Sequence, residues 1–205
     1  MTSAEEAHAH AAPPRFAEAL HELGLGELLP RVRRFPEATR TAAEAAAAIG
    51  CDLSQICKSL IFTVYGSPRL RSAVDAPDAG VPVLVLMDGA SRVDVERVRR
   101  ELGAEKVTRA KADLVRETTG YAIGGVPPFG HRTRTRVLAD RSLLAHDTVW
   151  AAAGSPYTVF PMAPDTLVVH AGGTLVDVRE RPAGDGDGDG EDGQTGKQDS
   201  PESAR

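Results

Sequence analysis

The residue whose type and setting most invite chemistry is Lys58, in the segment CDLSQICKSLIFTVY at 51–65. Ile56, Cys57, Leu60 and Ile61 flank it, so its ammonium either snorkels out at a sheet edge or stands at a pocket wall. A second candidate is the loop GYAIGGVPPFG at 120–130. Adjacent Gly124 and Gly125 would let a ligand approach the backbone, while Pro127 and Pro128 stiffen the stretch running on to Gly130 and remove two donors. Such a loop is either a preformed cradle or a wide connection between a helix and a strand. Immediately after it, Arg132, Arg134 and Arg136 alternate with threonines, which in an extended chain would put three guanidiniums on one face. That stripe could hold RNA phosphates, as could a second cluster, Arg31, Arg33, Arg34 and Arg40; each reads equally as an ordinary solvated face.

Groups of these types could hold and orient a ligand; none supplies a nucleophile with its base. There is no G-x-S-x-G elbow, P-loop, Rossmann fingerprint or H-E-x-x-H, and His131 and His170 stand as single histidines. A conventional hydrolytic triad is therefore not expected. Cys51 and Cys57 lie six apart with no histidine pair at ligand spacing, so they read as small buried hydrophobes, with no metal and no cofactor implied. Asp185, Asp187, Asp189 and Gly190 imitate the first half of a calcium loop, but Gly196 stands where the bidentate Glu is needed.

The elements that must position these residues follow from pattern. With 205 residues and 41% hydrophobic content the chain can bury one sizeable core. The expectation is a tail over 1–12, one domain over 13–180, and a second tail over 181–205 too poor in apolar residues to fold. Residues 184–205 hold seven acids against two bases, so they account for the whole net charge of −5. What remains permits local basic patches but not a strongly basic nucleic-acid binder, and no DNA partner is expected. No apolar run reaches about 18 residues and the N-terminus lacks a signal pattern, so a cytoplasmic protein without membrane contact is expected. Helices are predicted from Pro14, from the Thr41 and Glu44 capping box to Gly50, from a Ser91 cap through Asp94 to near Gly103, over 111–118, and from near Pro164. Strands are predicted over 59–65, 82–87, 134–139, 148–153, 157–160 and 174–178. The fold class is α+β, a curved mixed sheet or barrel of about seven short strands with surrounding helices.

In order, TAAEAAAAIG (41–50), QICKSLIF (55–62), VDVERVRRELGAEKV (93–107), TGYAIGGVPPFG (119–130), VLAD (137–140) and Ala153 with Gly154 resemble the YbaK-type domains, relatives of the editing domain inserted in bacterial prolyl-tRNA synthetases. The resemblance implies a freestanding deacylase that clears a wrong amino acid, alanine or cysteine, from tRNA(Pro). Its partner would be mischarged tRNA, alone or with a synthetase. It further implies that Lys58 acts on the ester or terminal adenosine and that Gly124, Gly125, Pro127 and Gly130 cradle the substrate. Gly154 would keep the opposite wall open, Asp140 would orient the site or cap the next turn, and water or a substrate thiol would attack. Some members place a serine where this chain has Ala153, which leaves a hydroxyl contact missing. The rival reading is a non-catalytic module of the same fold that binds tRNA ends, a synthetase or a small metabolite.

Overall fold

Helix formation begins where proline cannot continue an extended ladder. In the computed structural model, which describes residues 12–70 and 80–181, Pro14 opens α1 (Pro14–Glu22), which buries Phe16, Ala19 and Leu20 on one face. A 3-10 segment leads to a two-residue edge strand, β1 (Arg33–Arg34). The capping box forms as its sequence requires at the start of α2 (Ala42–Ile49): the Glu44 N–H donates to the Thr41 hydroxyl at 3.2 Å, and the Thr41 N–H donates to the Glu44 carboxylate at 3.1 Å. Then follow β2 (Ile56–Tyr65), β3 (Val81–Asp88), α3 (Val95–Leu102), β4 (Lys106–Arg109), α4 (Ala112–Thr119), β5 (Arg136–Asp140), β6 (Val149–Ala152), β7 (Thr158–Met162), α5 (Pro164–Ala171) and β8 (Gly173–Val176).

One mixed sheet runs β1-β7-β6-β2-β3-β5-β8, with β4 also pairing β2. Period-two alternation sorts β2 and β3 cleanly between two cores. Cys57, Ile61, Leu84 and Leu86 face the larger one, with Phe16, Leu20, Phe129, Phe160 and Leu167; Phe62, Val64, Val83, Val85 and Met87 face the other, under Val98 and Leu102 of α3. Phe16, Phe129 and Phe160 form an aromatic triangle with ring centroids 5.1 to 6.1 Å apart, and this pins the 120–130 loop to α1 and β7.

The α+β mixed sheet agrees with expectation, and the differences are local. The cap of α3 is Asp94, whose carboxylate accepts from the Glu96 and Arg97 N–H groups at 2.9 and 3.1 Å; Ser91 stays in the turn after β3. β4, only four residues of KVTR, carries too little pattern to be read in advance and forms because β2 offers it a free edge. The strand expected over 134–139 starts at Arg136; just before it the Arg132 and Thr133 N–H groups donate to the Thr119 and Thr118 carbonyls and tie the chain to the end of α4. The greater part of both expected tails and the calcium-like run lie outside the described residues.

Candidate active site

The site arises from a break in the sheet. On its outer edge β2 pairs with β6 at Ile56 and Cys57 and with β4 from Phe62 to Tyr65, leaving residues 58–61 without a neighbouring strand. Ile61 turns its carbonyl to that edge, accepting from the Ala110 N–H at 3.1 Å. By alternation Ser59 presents its own N–H and C=O there too, between the two partners. A cavity of about 440 Å³ opens at this break. It lies within the range of about 300–1,000 Å³ typical of small-molecule sites. Lys58 and Ser59 form its floor, Gly124 and Val126 one wall, Trp150 and Ala152 the other. Three basic side chains line it, Arg40, Lys58 and Arg109, and among the described residues no carboxylate does.

Lys58 is the third residue of its strand, on the face opposite Cys57. Its ammonium donates to the Gly89 carbonyl at 3.1 Å and the Ser91 carbonyl at 2.5 Å. Those carbonyls are presented by a turn that Asp88 builds: Oδ1 accepts from the Ala90 and Ser91 N–H groups, both at 2.9 Å. Asp88 Oδ2 accepts the Ser142 hydroxyl at 2.6 Å, and the Ser142 N–H donates to Asp140 Oδ1 at 2.9 Å. Asp140 thus reaches Lys58 only through Ser142, Asp88 and the 89–91 turn; its Oδ2 accepts the Val178 N–H, and it does not line the cavity. Burial lowers the Lys58 pKa, with Arg109 and Arg92 adding to the effect and Asp88 opposing it. Burial alone would raise Asp88, but the bonds from Ser142, Ser91 and Ala90 outweigh it and leave the carboxyl below its ordinary range. Cys57, a buried residue that also borders the cavity, is pushed up to about 12 by burial and the nearby Asp88, so it is an inert thiol.

The loop divides into an exposed tip, residues 122–124, and a buried base, residues 125–129. Gly124 has φ +87° and its surroundings are open, so the conformation itself selects glycine there. Gly125 is selected by contact: a Cβ would stand 2.7 Å from Ser155 Cα. The Gly125 N–H already donates to the Ala122 carbonyl at 3.0 Å and is not free for a ligand, whereas no acceptor among the described residues takes the Gly124 N–H. Pro127 offers its carbonyl to His131 Nε2 at 2.7 Å, so the imidazole carries its proton on Nε2, and burial holds its pKa low. Gly130 backs onto Ala19, and Gly154 onto Tyr121 and Phe16. Pro127, Gly130 and Gly154 therefore support the walls from behind, and His131 locks the loop and does not face the cavity. Arg132, Arg134 and Arg136 are all exposed, away from the lining, and only Arg136 belongs to a strand.

Sequence reasoning missed Ser59. Among the described residues two buried side-chain polar atoms lack a hydrogen-bond partner, Arg15 Nε and Ser59 Oγ; Ser59 lines the cavity, while its Oγ is itself buried on the strand face it shares with Cys57 and Ile61. Nothing in the sequence around it marked this serine, because its isolation follows from the break in the sheet.

A mixed sheet opened at one strand edge, with a lysine on the floor of the opening and a glycine loop on its wall, defines an α+β domain with a cavity at the break. Residues 36–169 match the aminoacyl-tRNA editing domain, and the chain belongs to that family. It is 32% identical over 136 residues to the uncharacterized protein YwhH of Bacillus subtilis (strain 168), spanning 66% of this chain and 78% of that one. It is 28% identical over 120 residues to the proline–tRNA ligase of Limosilactobacillus fermentum (strain NBRC 3956 / LMG 18251), covering 58% of this chain and 19% of the ligase. A solved protein proposed to be a trans-editing enzyme for prolyl-tRNA synthetase superposes with a TM-score of 0.69 at 34% identity, covering 88% of this chain and 99% of that one. Among the described residues no helix is long and apolar enough to cross a membrane.

Proposed function

We propose that the cavity receives the aminoacylated 3′ end of a mischarged tRNA and hydrolyses its ester. The observation that carries this reading is a cavity lined by Arg40, Lys58 and Arg109 without a carboxylate, beside an unclaimed strand edge and a free glycine N–H. Its charge suits a substrate bearing phosphates, and its size suits an aminoacyl group with its nucleoside.

An aminoacyl ester is already activated, so positioning it and stabilising the charge that develops on its carbonyl oxygen lowers the barrier without a protein nucleophile. Lys58 on the floor and the Gly124 N–H on a wall of the same cavity are the donors for that oxygen. Two of the three Lys58 N–H groups are held by Gly89 and Ser91, which fixes the direction of the third. Ser59 offers its edge-facing backbone N–H and C=O to the amino-acid end of the substrate. Water, or the substrate's own thiol where the amino acid is cysteine, is the attacking group. Gly125, Pro127, Gly130 and Gly154 shape the walls, and Asp140 acts through Asp88 on the turn that holds Lys58. The proline kinship of the ligase and of the superposed protein makes alanyl- or cysteinyl-tRNA(Pro) the first substrates to try. The exposed Arg132, Arg134 and Arg136 are the candidate contacts for the tRNA body.

The test is deacylation of Ala-, Cys-, Ser- and Pro-charged tRNA by the purified chain and by Lys58→Ala. Loss of one such electrostatic donor lowers kcat by about a hundredfold or more. A chain that binds these tRNAs but cleaves none would be a binding module of the same fold, and full activity in Lys58→Ala would remove Lys58 from the mechanism.

A further inference from the structure

The outer wall of the cavity continues into a stacked pair of side chains. Trp150 lines the cavity from β6, and Arg33 of edge strand β1 lies over it, its guanidinium carbon 4.5 Å from the indole ring centre. Trp150 is half-buried and Arg33 exposed, so the guanidinium sits over the indole at the solvent side of the rim. Arg40 and Arg109, both exposed, border the same opening. The carboxylate beside Arg40, that of Glu44, is engaged by the backbone N–H groups of Arg40 and Thr41 at 2.7 and 3.1 Å and does not neutralise the rim through an ion pair.

A cavity of about 440 Å³ takes an aminoacyl group and at most the nucleoside that bears it, so the strand behind that nucleoside must leave over the rim. Each nucleotide of that strand brings a planar base and a phosphate. Aromatic faces and guanidinium planes stack bases of any identity, and neighbouring cations hold the backbone. We propose that the Arg33–Trp150 stack, with Arg40 and Arg109, is the docking surface for the single-stranded nucleotides that precede the terminal nucleoside of the charged tRNA. The occupant follows from the editing reading, on which this proposal rests. A base laid on the outer plane of Arg33 completes a base–guanidinium–indole sandwich, and the phosphates on either side fall toward Arg40 and Arg109.

Trp150 is the only tryptophan of the chain, so its emission reports the stack directly. The full chain is titrated with a short uncharged single-stranded RNA ending in CCA and with the same RNA as a duplex. The single strand is expected to quench the emission saturably and to bind more tightly than the duplex. Arg33→Glu is expected to weaken binding by about tenfold or more, the scale of losing one stacked base. Arg33→Lys keeps the charge but loses the plane, and is expected to weaken it as well. Both variants alter an exposed side chain, and their circular dichroism is compared with that of the parent. No quenching, equal binding of the duplex, or unchanged affinity in Arg33→Glu overturns the proposal; full affinity in Arg33→Lys overturns the stack in favour of simple charge. The RNA carries no ester, so the outcome is separate from catalysis. Quenching without deacylation of any charged tRNA sinks the editing reading and keeps the surface, and deacylation without quenching does the reverse.

Discussion

Gly125→Ala tests whether contact between two backbone segments sets the shape of the cavity. An ideal Cβ at Gly125 lies 2.7, 2.8 and 2.9 Å from Ser155 Cα, C and N. Ordinary carbon contacts sit at about 3.5–4.0 Å. All three atoms belong to backbone, so no side chain can swing away; relief requires the 122–126 turn to move by roughly 1 Å against the packing forces of the core. Overpacking of this kind costs about 1–3 kcal/mol. The same shift pulls on the bond from the Gly125 N–H to Ala122 and on that from the Thr158 N–H to Ser155, which places the loss in the upper half of the range. With a urea slope of about 2 kcal/mol per molar, the midpoint falls by about 1 M. Gly124→Ala is the control: its added methyl meets nothing closer than 3.8 Å, so only the positive φ penalises it. That penalty is about 1–2 kcal/mol. Displacement of the wall by roughly 1 Å lowers deacylation about a hundredfold, since misplaced reacting groups lose most of their orientation advantage. Urea unfolding followed by Trp150 emission and single-turnover deacylation give both numbers. A Gly125→Ala protein with an unshifted midpoint and full activity would show that the contact with Ser155 does not constrain the loop.

Ser59→Ala removes a buried hydroxyl that has no internal partner, so unfolding should show unchanged or slightly greater stability, by up to about 1 kcal/mol; a stability loss beyond that range would reveal a protein partner for Oγ. On the proposed mechanism Lys58 acts as an ammonium, and burial lowers its pKa, so the alkaline limb of the rate profile, corrected for spontaneous hydrolysis, should fall at a pH below about 10.4, the ordinary lysine value. A limb at or above that value, or none in an otherwise active protein, would refute the assignment. Asp88 has a folded pKa below its unfolded one, so its contribution is present above about pH 4 and disappears as the pH falls through the folded value. Asp88→Asn should therefore lose about 1.5–3 kcal/mol at neutral pH and show a flatter acid limb in urea midpoints measured against pH, whereas parallel curves would mean the carboxylate is not engaged.

The parts of this protein legible in its sequence are those where a local rule decides the outcome. Thr41 and Glu44 specify a helix start within four residues, and the alternation of β2 and β3 decides which side chain enters which core, whatever lies on the other side. Lys58 was conspicuous because a charge in an apolar run needs a reason, and the glycine loop because it holds more glycine and proline than a turn requires. Asp140 was visible as a residue and its route to Lys58 was not, since that route runs through Ser142 and Asp88, 54 residues apart in the chain. β4 and the cap of α3 were settled by competition that only the fold arranges: β2 supplied an edge for KVTR, and the turn built by Asp88 engaged the Ser91 N–H, leaving Asp94 to cap.

The same distinction explains why the cavity escaped the sequence. An apolar strand as long as β2 calls for a full-length neighbour on each side, and the pattern of residues 56–65 gives no sign that one side is shared by two short strands. β6 arrives parallel and stops after Cys57; β4 arrives antiparallel and stops at Phe62. Their opposite directions and short lengths leave the backbone of Ser59 unclaimed. An unpaired edge inside a domain is ordinarily a liability, because its polar groups lose water without gaining partners. Here the cavity at the break gives the edge-facing backbone groups of Ser59 room for a partner from outside the chain. On the proposed editing reading such a site would discriminate by what it lacks: a ligand that cannot pair with the Ser59 backbone leaves polar groups unpaired, which is a stronger basis for rejection than the one methylene that separates similar amino acids.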